Sequence, residues 1–380
     1  MGVSSIAFGP ALFLAAVSLA RAEARLEYIA HACFVVESPS GVRVAIDPYN
    51  TYRWLGYHFP TNIPAKGVLV SHPHYDHDAS YYWPVGVPVF REPGQYSIGD
   101  IRITGIEGRH ADPYGAEFGQ KNTIWLVETG GVRIAHLGDN GPLTPSNYQA
   151  LGRVDVLLMP ADDLDHILKR GEIDDIRAKL SPRITIPMHY RLEPLTTLPD
   201  SVGPITQWLS EQRNVDILDS NRLPLVAGSL GNSTKVVVLQ PSPKVKPWPE
   251  SLHQAFALRT KARVLLEAGE RGRNEAIGLL REASELAPES IVFSYDLAKA
   301  LADGGSDDAA LGTLEIALSA GGGDDWEYTM FARDLLAGIH VKRGNMARAA
   351  QQYRLILQHA YHTEFIRRAK AFLEKLEEPN

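Results

Sequence analysis

Cysteine is almost absent from this 380-residue sequence: Cys33 is the only one, so an intrachain disulfide is excluded. Beyond the N-terminus there is no run of the ~18–20 apolar residues that a membrane-spanning helix needs. A basic stripe is also missing, since Lys and Arg number 38 against 45 Asp and Glu, for a net charge of -7. These absences argue against a disulfide-stabilised scaffold, an integral membrane protein and a nucleic-acid-binding protein.

The one strongly apolar stretch lies at the N-terminus. Residues 6–20 are mostly apolar and lead into Ala20-Arg21-Ala22, a pattern typical of a signal peptide and its cleavage site. This predicts a signal peptide over residues 1–22 and a mature chain from Glu23, located in the periplasm or outside the cell. A buried first helix is the alternative, since residues 1–5 contain no Lys or Arg.

The densest group of chemically active side chains follows a short apolar run at residues 67–71, which is predicted as a buried strand. Imidazole and carboxylate groups suit Zn²⁺ and neighbouring divalent metals. Side chains two apart on an extended segment point the same way, so the first two histidines can face one ion and the later residues a second. A polar loop with hydrogen-bonded histidines is the alternative. The group comprises His72, His74, Asp76, His77 and Asp78.

Three further candidate ligands each follow a predicted strand. His110 comes after the strand predicted at 98–104, Asp139 after 132–137 and His189 after 184–186. Open α/β architectures place their sites at the carboxyl ends of strands. The sequence therefore predicts an α/β domain with one shared metal site.

Other local patterns predict the elements around this site. Residues 26–37 and 42–46 are predicted as a hairpin, and the aromatic loop at 49–66 as either a substrate wall or local packing. Helices are predicted at 165–180 and 202–212 from their apolar spacing. Cys33 falls inside a predicted strand, where a small buried side chain is expected.

The composition changes near residue 241. Prolines punctuate residues 241–250, which are predicted as an extended linker between a domain at 23–240 and a helical domain at 251–380. Ala276 and Ala310 are 34 residues apart, and Gly305 and Gly344 mark predicted turns between helices. Paired helices at this period resemble tetratricopeptide (TPR) repeats.

Taken in order, the histidines and aspartates resemble the ligand pattern of the metallo-β-lactamase-fold hydrolases. A finer resemblance, over residues 25–240, is to the L-ascorbate-6-phosphate lactonase-like branch. It rests on Ala30-His31-Ala32, Ile46-Asp47-Pro48, the run from Ile134 to Asp139, and Pro187-Met188-His189-Tyr190. The implied fold is an α/β, αββα sandwich, followed here by an all-α TPR-like helical-repeat domain.

The resemblance also implies a set of roles. One metal ion is implied on His72, His74 and His110, and a second on Asp76, His77 and His189, with Asp139 bridging the two. Two nearby cations need such an anionic bridge to offset their repulsion. The expected cofactors are two divalent ions, Zn²⁺ first and Mn²⁺ or Fe as alternatives. A hydroxide between the ions would attack the substrate.

Several residues beyond the ligands have open roles. The expected catalytic residues are Asp76 and Asp139, together with His31 and His136, which are either site partners or core histidines, and Tyr190, which is either a proton donor or a packed side chain. Asp47 is expected to orient a ligand histidine or to cap a turn, and not to act as a base. His58 and His166 are predicted as surface residues. Asp162 and Asp163 stand where relatives often carry small residues.

The leading hypothesis is an exported dinuclear hydrolase of a small ester, lactone or phosphoester. One alternative is a nuclease or phosphodiesterase of the same fold, although acidity and the missing basic stripe make nucleic acid an unexpected partner. Another is a scaffold whose TPR-like domain binds a protein partner beside a vestigial metal site. No membrane span is expected after signal cleavage.

Overall fold

The computed structural model describes residues 23–52, 55–60, 62–195, 202–231, 233–319, 326–359 and 363–377. The predicted signal peptide at residues 1–22 lies outside the described residues. Within them, an α/β domain is followed by an all-α domain, which confirms the predicted fold class. No helix in this described part combines the length and the apolar character needed to cross a bilayer.

Two β-sheets form the α/β domain. The strands are β1 (Ala24–Ala30), β2 (Cys33–Glu37), β3 (Arg43–Ile46), β4 (Gly67–Leu69), β5 (Val89–Phe90), β6 (Gly94–Ile98), β7 (Ile101–Arg109), β8 (Lys121–Thr129), β9 (Val132–His136), β10 (Val156–Pro160), β11 (Ile184–Met188), β12 (Val215–Ile217), β13 (Arg222–Leu225) and β14 (Lys235–Val238). The first sheet has the order β13-β1-β2-β3-β4-β5 and the second β12-β14-β11-β10-β9-β8-β7-β6. Its helices are α1 (Tyr114–Phe118), α2 (Pro145–Leu151), α3 (Arg170–Leu180) and α4 (Thr206–Ser210).

The two sheets share one hydrophobic core. Leu26 and Val35 of the first sheet and Ile134 and Leu158 of the second are fully buried in it. Strands β10 and β11 pair in parallel and are buried at every position, which explains why their sequences are continuously apolar instead of alternating. Cys33 is also buried in this core, as predicted.

Strand direction brings the predicted site together. Strands β3 and β4 are parallel, and so are β9, β10 and β11. Strand β7 is antiparallel to β8, which is antiparallel to β9, so β7 ends at the same edge as β9. The carboxyl ends of these strands therefore meet along one side of the two sheets.

Two predicted strands are wrong in their extent. The segment 26–37 is divided into β1 and β2, because the chain turns at His31, whose φ is 55°. The segment 98–104 contains the tight turn between β6 and β7, where Gly99 has a φ of 58°. The hairpin predicted between segments 26–37 and 42–46 is found in its second half, as the antiparallel pair β2 and β3.

Both predicted helices of the α/β domain are shorter than expected. Helix α3 begins at Arg170 instead of 165, and α4 covers only five residues of the predicted 202–212. The carboxylates of Asp162 and Asp163 explain the irregular segments. Asp162 accepts hydrogen bonds from the backbone N–H groups of His166 and Gly203, and Asp163 accepts from the N–H groups at the start of α4.

The all-α domain consists of antiparallel helix pairs. Its helices are α5 (Glu250–Glu267), α6 (Glu270–Leu286), α7 (Ile291–Asp303), α8 (Asp307–Ser319), α9 (Trp326–Lys342), α10 (Met346–His359) and α11 (Thr363–Glu377). Ala276 and Ala310, 34 residues apart, are fully buried, so neighbouring helices approach closely at these positions. Gly305 and Gly344 adopt φ values of 79° and 74° at the turns α7–α8 and α9–α10, as predicted.

The predicted linker is not a free spacer. Trp248 donates a hydrogen bond from Nε1 to the carbonyl of Thr51 at 2.8 Å, and its ring stacks on Phe256 of α5 with centroids 4.7 Å apart. Tyr52, from the aromatic loop, is buried in the core of the helical domain. The loop at 49–66 thus packs against the helices. Of the two roles predicted for the loop, local packing is therefore the one observed for Tyr52, and not a substrate wall.

Candidate metal centre

The seven predicted ligands lie together at the shared edge of the two sheets. His72 to His77 follow β4, His110 follows β7, Asp139 lies three residues after β9, and His189 directly follows β11. Six of the seven are buried, and His74 is half-buried. The sequence-based grouping of these residues is therefore reproduced by the fold.

The candidate ligand atoms form two neighbouring groups within metal-binding reach, and a third set, His72, His77 and Asp139, joins them. In each group the candidate atoms lie within 4.8 Å of one another. The first group is His72, His74 and His110, and the second is His31, Asp76, His77 and His189.

Asp139 lies between these groups and faces both. Its Oδ1 lies 3.3 Å from His77 Nε2, and its Oδ2 lies 3.3 Å from His189 Nε2 in the second group. Toward the first group, Oδ2 lies 3.7 Å from His110 Nε2 and 3.9 Å from His72 Nε2.

Hydrogen bonds fix which ring nitrogen points into the centre for His72, His77 and His110. A neutral imidazole has one N–H donor and one lone pair, so a bond from one nitrogen leaves the other available to a metal. Because Ser71 Oγ donates to Asp47, it accepts from His72. His77 and His110 likewise donate from Nδ1 to a carboxylate and to a backbone carbonyl. His74 Nε2 lies beside both the oxygen and the nitrogen of the Gln120 amide, at 3.1 and 2.9 Å, so its tautomer is not fixed by this contact. The contacts are His72 Nδ1–Ser71 Oγ at 2.9 Å, Ser71 Oγ–Asp47 Oδ2 at 2.6 Å, His77 Nδ1–Asp47 Oδ2 at 2.8 Å, His110 Nδ1–Ala111 O at 2.9 Å and His74 Nε2–Gln120 Oε1 at 3.1 Å.

The backbone at this edge adopts unusual conformations. His31, Asp47 and His189 have φ values of 55°, 46° and 58°, a region that non-glycine residues enter at a cost of about 1–3 kcal/mol each. The N–H of His189 donates to the carbonyl of His31 at 3.2 Å, which ties two of these turns together. Such turns aim side chains that a regular strand would direct elsewhere.

The residues present fit a metal ion by the chemistry of their buried atoms. Among the described residues, the Nε2 atoms of His77, His110 and His189 and the Oδ1 of Asp139 are buried without a hydrogen-bond partner. Buried polar atoms of native proteins are rarely left unpaired, because each costs about 1–3 kcal/mol. Their convergence around the Asp139 carboxylate is the arrangement that divalent cations satisfy.

Electrostatics supports the same conclusion. Burial lowers the pKa of His74 to about 4, which keeps its lone pair available at neutral pH. Burial also lowers the pKa of His189, but the carboxylate of Asp139 outweighs this effect and raises it to about 9. Burial raises the pKa of the Asp139 carboxyl, yet the neighbouring rings of His189 and His77 hold it well below its usual value. The negative potential that favours protonation here also attracts a divalent cation.

His31 joins the second group instead of standing apart from it. Its Nε2 lies 3.1 Å from Asp76 Oδ2, and its ring centroid lies 4.1 Å from that of His189. Burial, with a smaller contribution from His189, lowers the pKa of His31 to about 4. The ring is thus a neutral partner of the Asp76 carboxylate.

His136 and Tyr190 do not occupy the positions expected of catalytic residues. Both ring nitrogens of His136 bond to backbone, Nε2 to the carbonyl of Ala32 at 2.8 Å and Nδ1 to the N–H of Gly138 at 3.1 Å. Tyr190 is packed in the hydrophobic core, and burial raises the pKa of its hydroxyl. The contacts of His136 hold the turn before Asp139, and neither side chain lines the cavity over the ligands.

His166 is a site residue that the sequence analysis missed. A cavity of about 370 Å³ opens over the ligands, and His166 and Tyr114 form parts of its walls. The ring of His166 stacks on His189 at 5.4 Å with an interplanar angle of 15°, so its predicted surface position is wrong. His58 is also half-buried, with its ring edge-on to Tyr52 at 6.4 Å.

Comparisons with known proteins agree with this geometry. A β-lactamase superfamily domain model matches residues 25–189. A UPF0173 protein from Pyrococcus furiosus is 30% identical over 194 residues, which cover 44% of this chain and 83% of that protein. The chain belongs to the UPF0173 family. A UPF0173 metal-dependent hydrolase from Carboxydothermus hydrogenoformans is 27% identical over 202 residues, covering 45% of this chain and 86% of that one. This UPF0173 protein is accordingly a metal-dependent hydrolase of the metallo-β-lactamase superfamily.

A solved structure from the same superfamily, from Thermotoga maritima, is also similar to this UPF0173 protein. The two are 26% identical, with a TM-score of 0.45, over 58% of this chain and all of that one. The helical domain is similar to the first TPR domain of Spaghetti, solved with an HSP90 peptide. That match has 15% identity and a TM-score of 0.28, over 33% of this chain and 96% of that one.

Proposed function

We propose that this protein is a dinuclear hydrolase in which His72, His74 and His110 hold one divalent ion and Asp76, His77 and His189 hold the other. The observation that carries the proposal is the position of Asp139, whose two oxygens face both groups of histidines. Zn²⁺ is the first candidate because imidazole ligands dominate, and Mn²⁺ or Fe are alternatives. The substrate is a small ester, lactone or phosphoester, the range suggested by the resemblance to the lactonase-like branch.

The chemistry divides between ions and protein. When bound, the ions would supply Lewis acidity and lower the pKa of a water molecule toward ~7, so that it attacks at neutral pH. The carboxylate of Asp139 lowers the net charge of the centre. It also orients a water molecule held between the two groups of histidines. Asp47 fixes the ring of His77, and His31 does the same for the carboxylate of Asp76.

Elemental analysis combined with a hydrolase screen tests this proposal. We expect close to two transition-metal ions per chain and turnover of at least one ester, lactone or phosphoester. Full activity in a protein stripped of transition metals would contradict the mechanism. A fully metal-loaded protein that hydrolyses none of these substrates would favour the scaffold alternative.

The helical domain is proposed to bind a protein partner. A cleft of about 410 Å³ between α5, α6, α7 and α9 is lined by four basic side chains, Arg259, Arg263, Arg273 and Lys299, and by two acidic ones, Asp296 and Asp303. Lys299 is paired with Asp303 at 2.9 Å, and the remaining excess of basic side chains favours an acidic segment. Arg259 is already paired with Asp296 at 2.6 Å, whereas Arg263 is exposed. A fluorescent oligoglutamate peptide should bind the full chain and bind Arg263→Glu more weakly. Equal binding to both would contradict this surface.

Export is proposed from the sequence of residues 6–22. The mature chain is then expected to begin near Glu23 in the periplasm or medium. Mass spectrometry of the protein from its native host measures this directly. An intact Met1 in the cytoplasmic fraction would contradict export.

A further inference from the structure

A second cavity lies at the amino ends of three strands of the first sheet. Its volume is about 680 Å³, within the range of small-molecule binding sites, whereas the cavity over the ligands has about 370 Å³. Strands β3, β4 and β5 are parallel, and the second cavity is lined by Arg43 at the start of β3, Lys66 just before β4 and Val87 just before β5. The candidate ligands follow the carboxyl end of β4 and none of them lines this cavity, so the two sites are separate.

Most of the lining of the second cavity is apolar and held in place by hydrogen bonds. Ile63, Pro64, Pro84 and Val87 are among the side chains that form it. Arg43 Nε donates to the carbonyl of Pro64 at 3.0 Å, and the N–H of Val87 donates to the carbonyl of Pro84 at 3.1 Å. A mainly apolar, preformed lining with few polar groups is typical of sites for small organic molecules.

Two aromatic rings also contribute to this lining. Tyr82 and Trp83 both pack on Phe59, with ring centroids 4.8 and 5.9 Å from it. Trp83 is 9% exposed, and its Nε1 is buried without a hydrogen-bond partner among the described residues. Buried donors of native proteins are rarely left unpaired. The lining thus combines flat apolar surface with an unsatisfied donor, which favours a planar ligand that carries acceptor oxygens.

The charges that line the second cavity have one sign. Neither Asp nor Glu is among its described lining residues. The charge of Arg43 is offset, because its Nη1 lies 2.7 Å from Glu37 Oε2 and its Nη2 lies 2.9 Å from Glu27 Oε2. Lys66 is exposed, and within the described part of the chain its ammonium group has no ion-pair partner. The positive charge at the cavity therefore rests on Lys66, and it favours an anionic group on the ligand.

We propose that the second cavity binds a small aromatic anion, with its ring system against Tyr82 and Trp83 and its charged group toward Lys66. The concave shape and the volume suit a ligand of one or two fused rings. This binding site is independent of the proposed hydrolase function, because it shares no lining residue with the cavity over the candidate ligands.

Titration calorimetry of the metal-loaded full chain with naphthalene-2-sulfonate is the first test. A sulfonate is chosen because it coordinates metal ions more weakly than a carboxylate does. We expect a Kd of about 1 mM or lower, the affinity typical of ligands of this size. Ala65→Trp fills the cavity and should raise this Kd at least ~10-fold, because the ligand then loses apolar contact area.

Val85→Trp is the matched control for this substitution. Val85 is fully exposed and lies beside the lining without being part of it, so this variant should bind the sulfonate as the wild type does. Equal Kd values for Ala65→Trp and the wild type would place the bound sulfonate elsewhere and overturn the proposal. Absence of measurable binding to the wild type would also overturn it.

Charge reversal tests the class of ligand without filling the cavity. Lys66→Glu should raise the Kd for naphthalene-2-sulfonate about threefold to tenfold, while that for the neutral naphthalene-2-sulfonamide should change less than about twofold. Lys370→Glu, an exposed position on α11, is the control and should match the wild type with both compounds. Equal sulfonate Kd values for Lys66→Glu and Lys370→Glu would overturn the preference for an anion.

Sedimentation separates a small-molecule site from an interface between two copies of this chain. We expect the wild type and Ala65→Trp to have the same oligomeric state, because the proposed occupant is a small anion and not a protein surface. Dissociation of an oligomer by Ala65→Trp, together with no binding of the sulfonate to the wild type, would assign the cavity to a protein interface and overturn the proposal.

Discussion

Asp47 Oδ2 accepts a hydrogen bond from His77 Nδ1 at 2.8 Å, although both residues are completely buried and lie thirty positions apart. The same carboxylate accepts from the hydroxyl of Ser71 at 2.6 Å, and its other oxygen accepts from the N–H of Ser71 at 2.7 Å. One side chain therefore positions two neighbouring histidines, His77 directly and His72 through Ser71. The expectation that Asp47 orients a candidate ligand is confirmed.

Asp47→Asn is expected to weaken metal binding without unfolding the protein. The amide keeps the shape of the side chain but accepts fewer hydrogen bonds, so the ring of His77 is no longer held in one orientation. Loss of such a supporting contact lowers metal affinity by about 10–100-fold. Zinc competition with a chromogenic chelator measures this change. Asp174→Asn, an exposed position on α3, should match the wild type, and an unchanged affinity in Asp47→Asn would refute the role.

Asp139→Asn is expected to reduce the catalytic rate by at least ~10²-fold, comparable with removing one preorganised electrostatic contact. The neutral amide cannot offset the charge of two ions, so one of them should bind weakly. Rate and metal content of the purified variant provide the test. Asp78 is unsuitable as a control, because its carboxylate forms a bidentate pair with Arg91 at 2.9 and 3.0 Å. Full rate and two retained ions in Asp139→Asn would contradict the bridge.

Removal of metal is expected to lower the thermal stability of the protein. A ligand that binds only the folded state stabilises it by RT ln(1 + [L]/Kd), or about 4 kcal/mol at a thousandfold excess over Kd. Chelation should therefore lower Tm by several degrees, and zinc should restore it. Calorimetric scans with and without chelator measure the shift. The same Tm in both conditions would indicate that no ion contributes to the folded state.

Trp248→Ala is expected to loosen the helical domain from the aromatic loop. Truncation of a large buried aromatic side chain typically costs about 3–5 kcal/mol, and here it also removes the bond to Thr51. Trp248→Phe keeps the stack on Phe256 and loses only the N–H, so it should be affected less. We expect the thermal unfolding of the Ala variant to separate into two transitions. A single transition at the wild-type Tm would show that the contact is not energetically important.

A domain at residues 23–240 followed by an extended linker would be expected to remain folded when the chain is cut at residue 243. The contacts of Trp248 and Tyr52 change that expectation, because the cut removes the helices against which the aromatic loop packs. A chain of residues 23–243 should keep its metal but have a lower Tm than the full chain. Metal content and Tm of the truncated protein distinguish these effects, and complete loss of metal would contradict an independent site.

The sequence predicted which candidate ligands lie close together, because each stands where a buried strand ends. Asp139 and His189 follow β9 and β11, whose apolar runs are recognisable without any tertiary information. Parallel pairing then places these ends together. The physical reason is that the positions of these side chains are set by strand termini, which local composition marks.

The features that the sequence did not predict depend on individual contacts that no local sequence pattern indicates. His166 was misplaced because apolar spacing extended α3 back to residue 165, whereas Asp162 captures the backbone N–H of His166 and keeps the segment irregular. The pairing of β1 with β13 joins Glu27 to Arg222, which are remote in sequence. The turn at His31 requires a positive φ that histidine rarely adopts, so a continuous strand was the natural prediction.

Gly138 packs closely against Ser71 and Asn122 at the base of the site. Its φ is 56°, and a Cβ at this position would lie 2.5 Å from Cβ of Ser71 and 2.5 Å from Oδ1 of Asn122. Since Ser71 is bonded to Asp47, a larger residue at position 138 would displace the whole chain of contacts that ends at His77.

The side chains on the outer walls of the cavity over the ligands are not restricted by close packing of the kind found around Gly138. Tyr114 is 46% exposed, and Asp112 and His166 stand on segments between regular elements. Evolution can therefore exchange these three side chains one at a time and acquire new substrates, while the base of the site is inherited almost unchanged. Divergence among descendants of this protein should be concentrated in the rim, with the glycine and its neighbours as the conserved signature of ancestry.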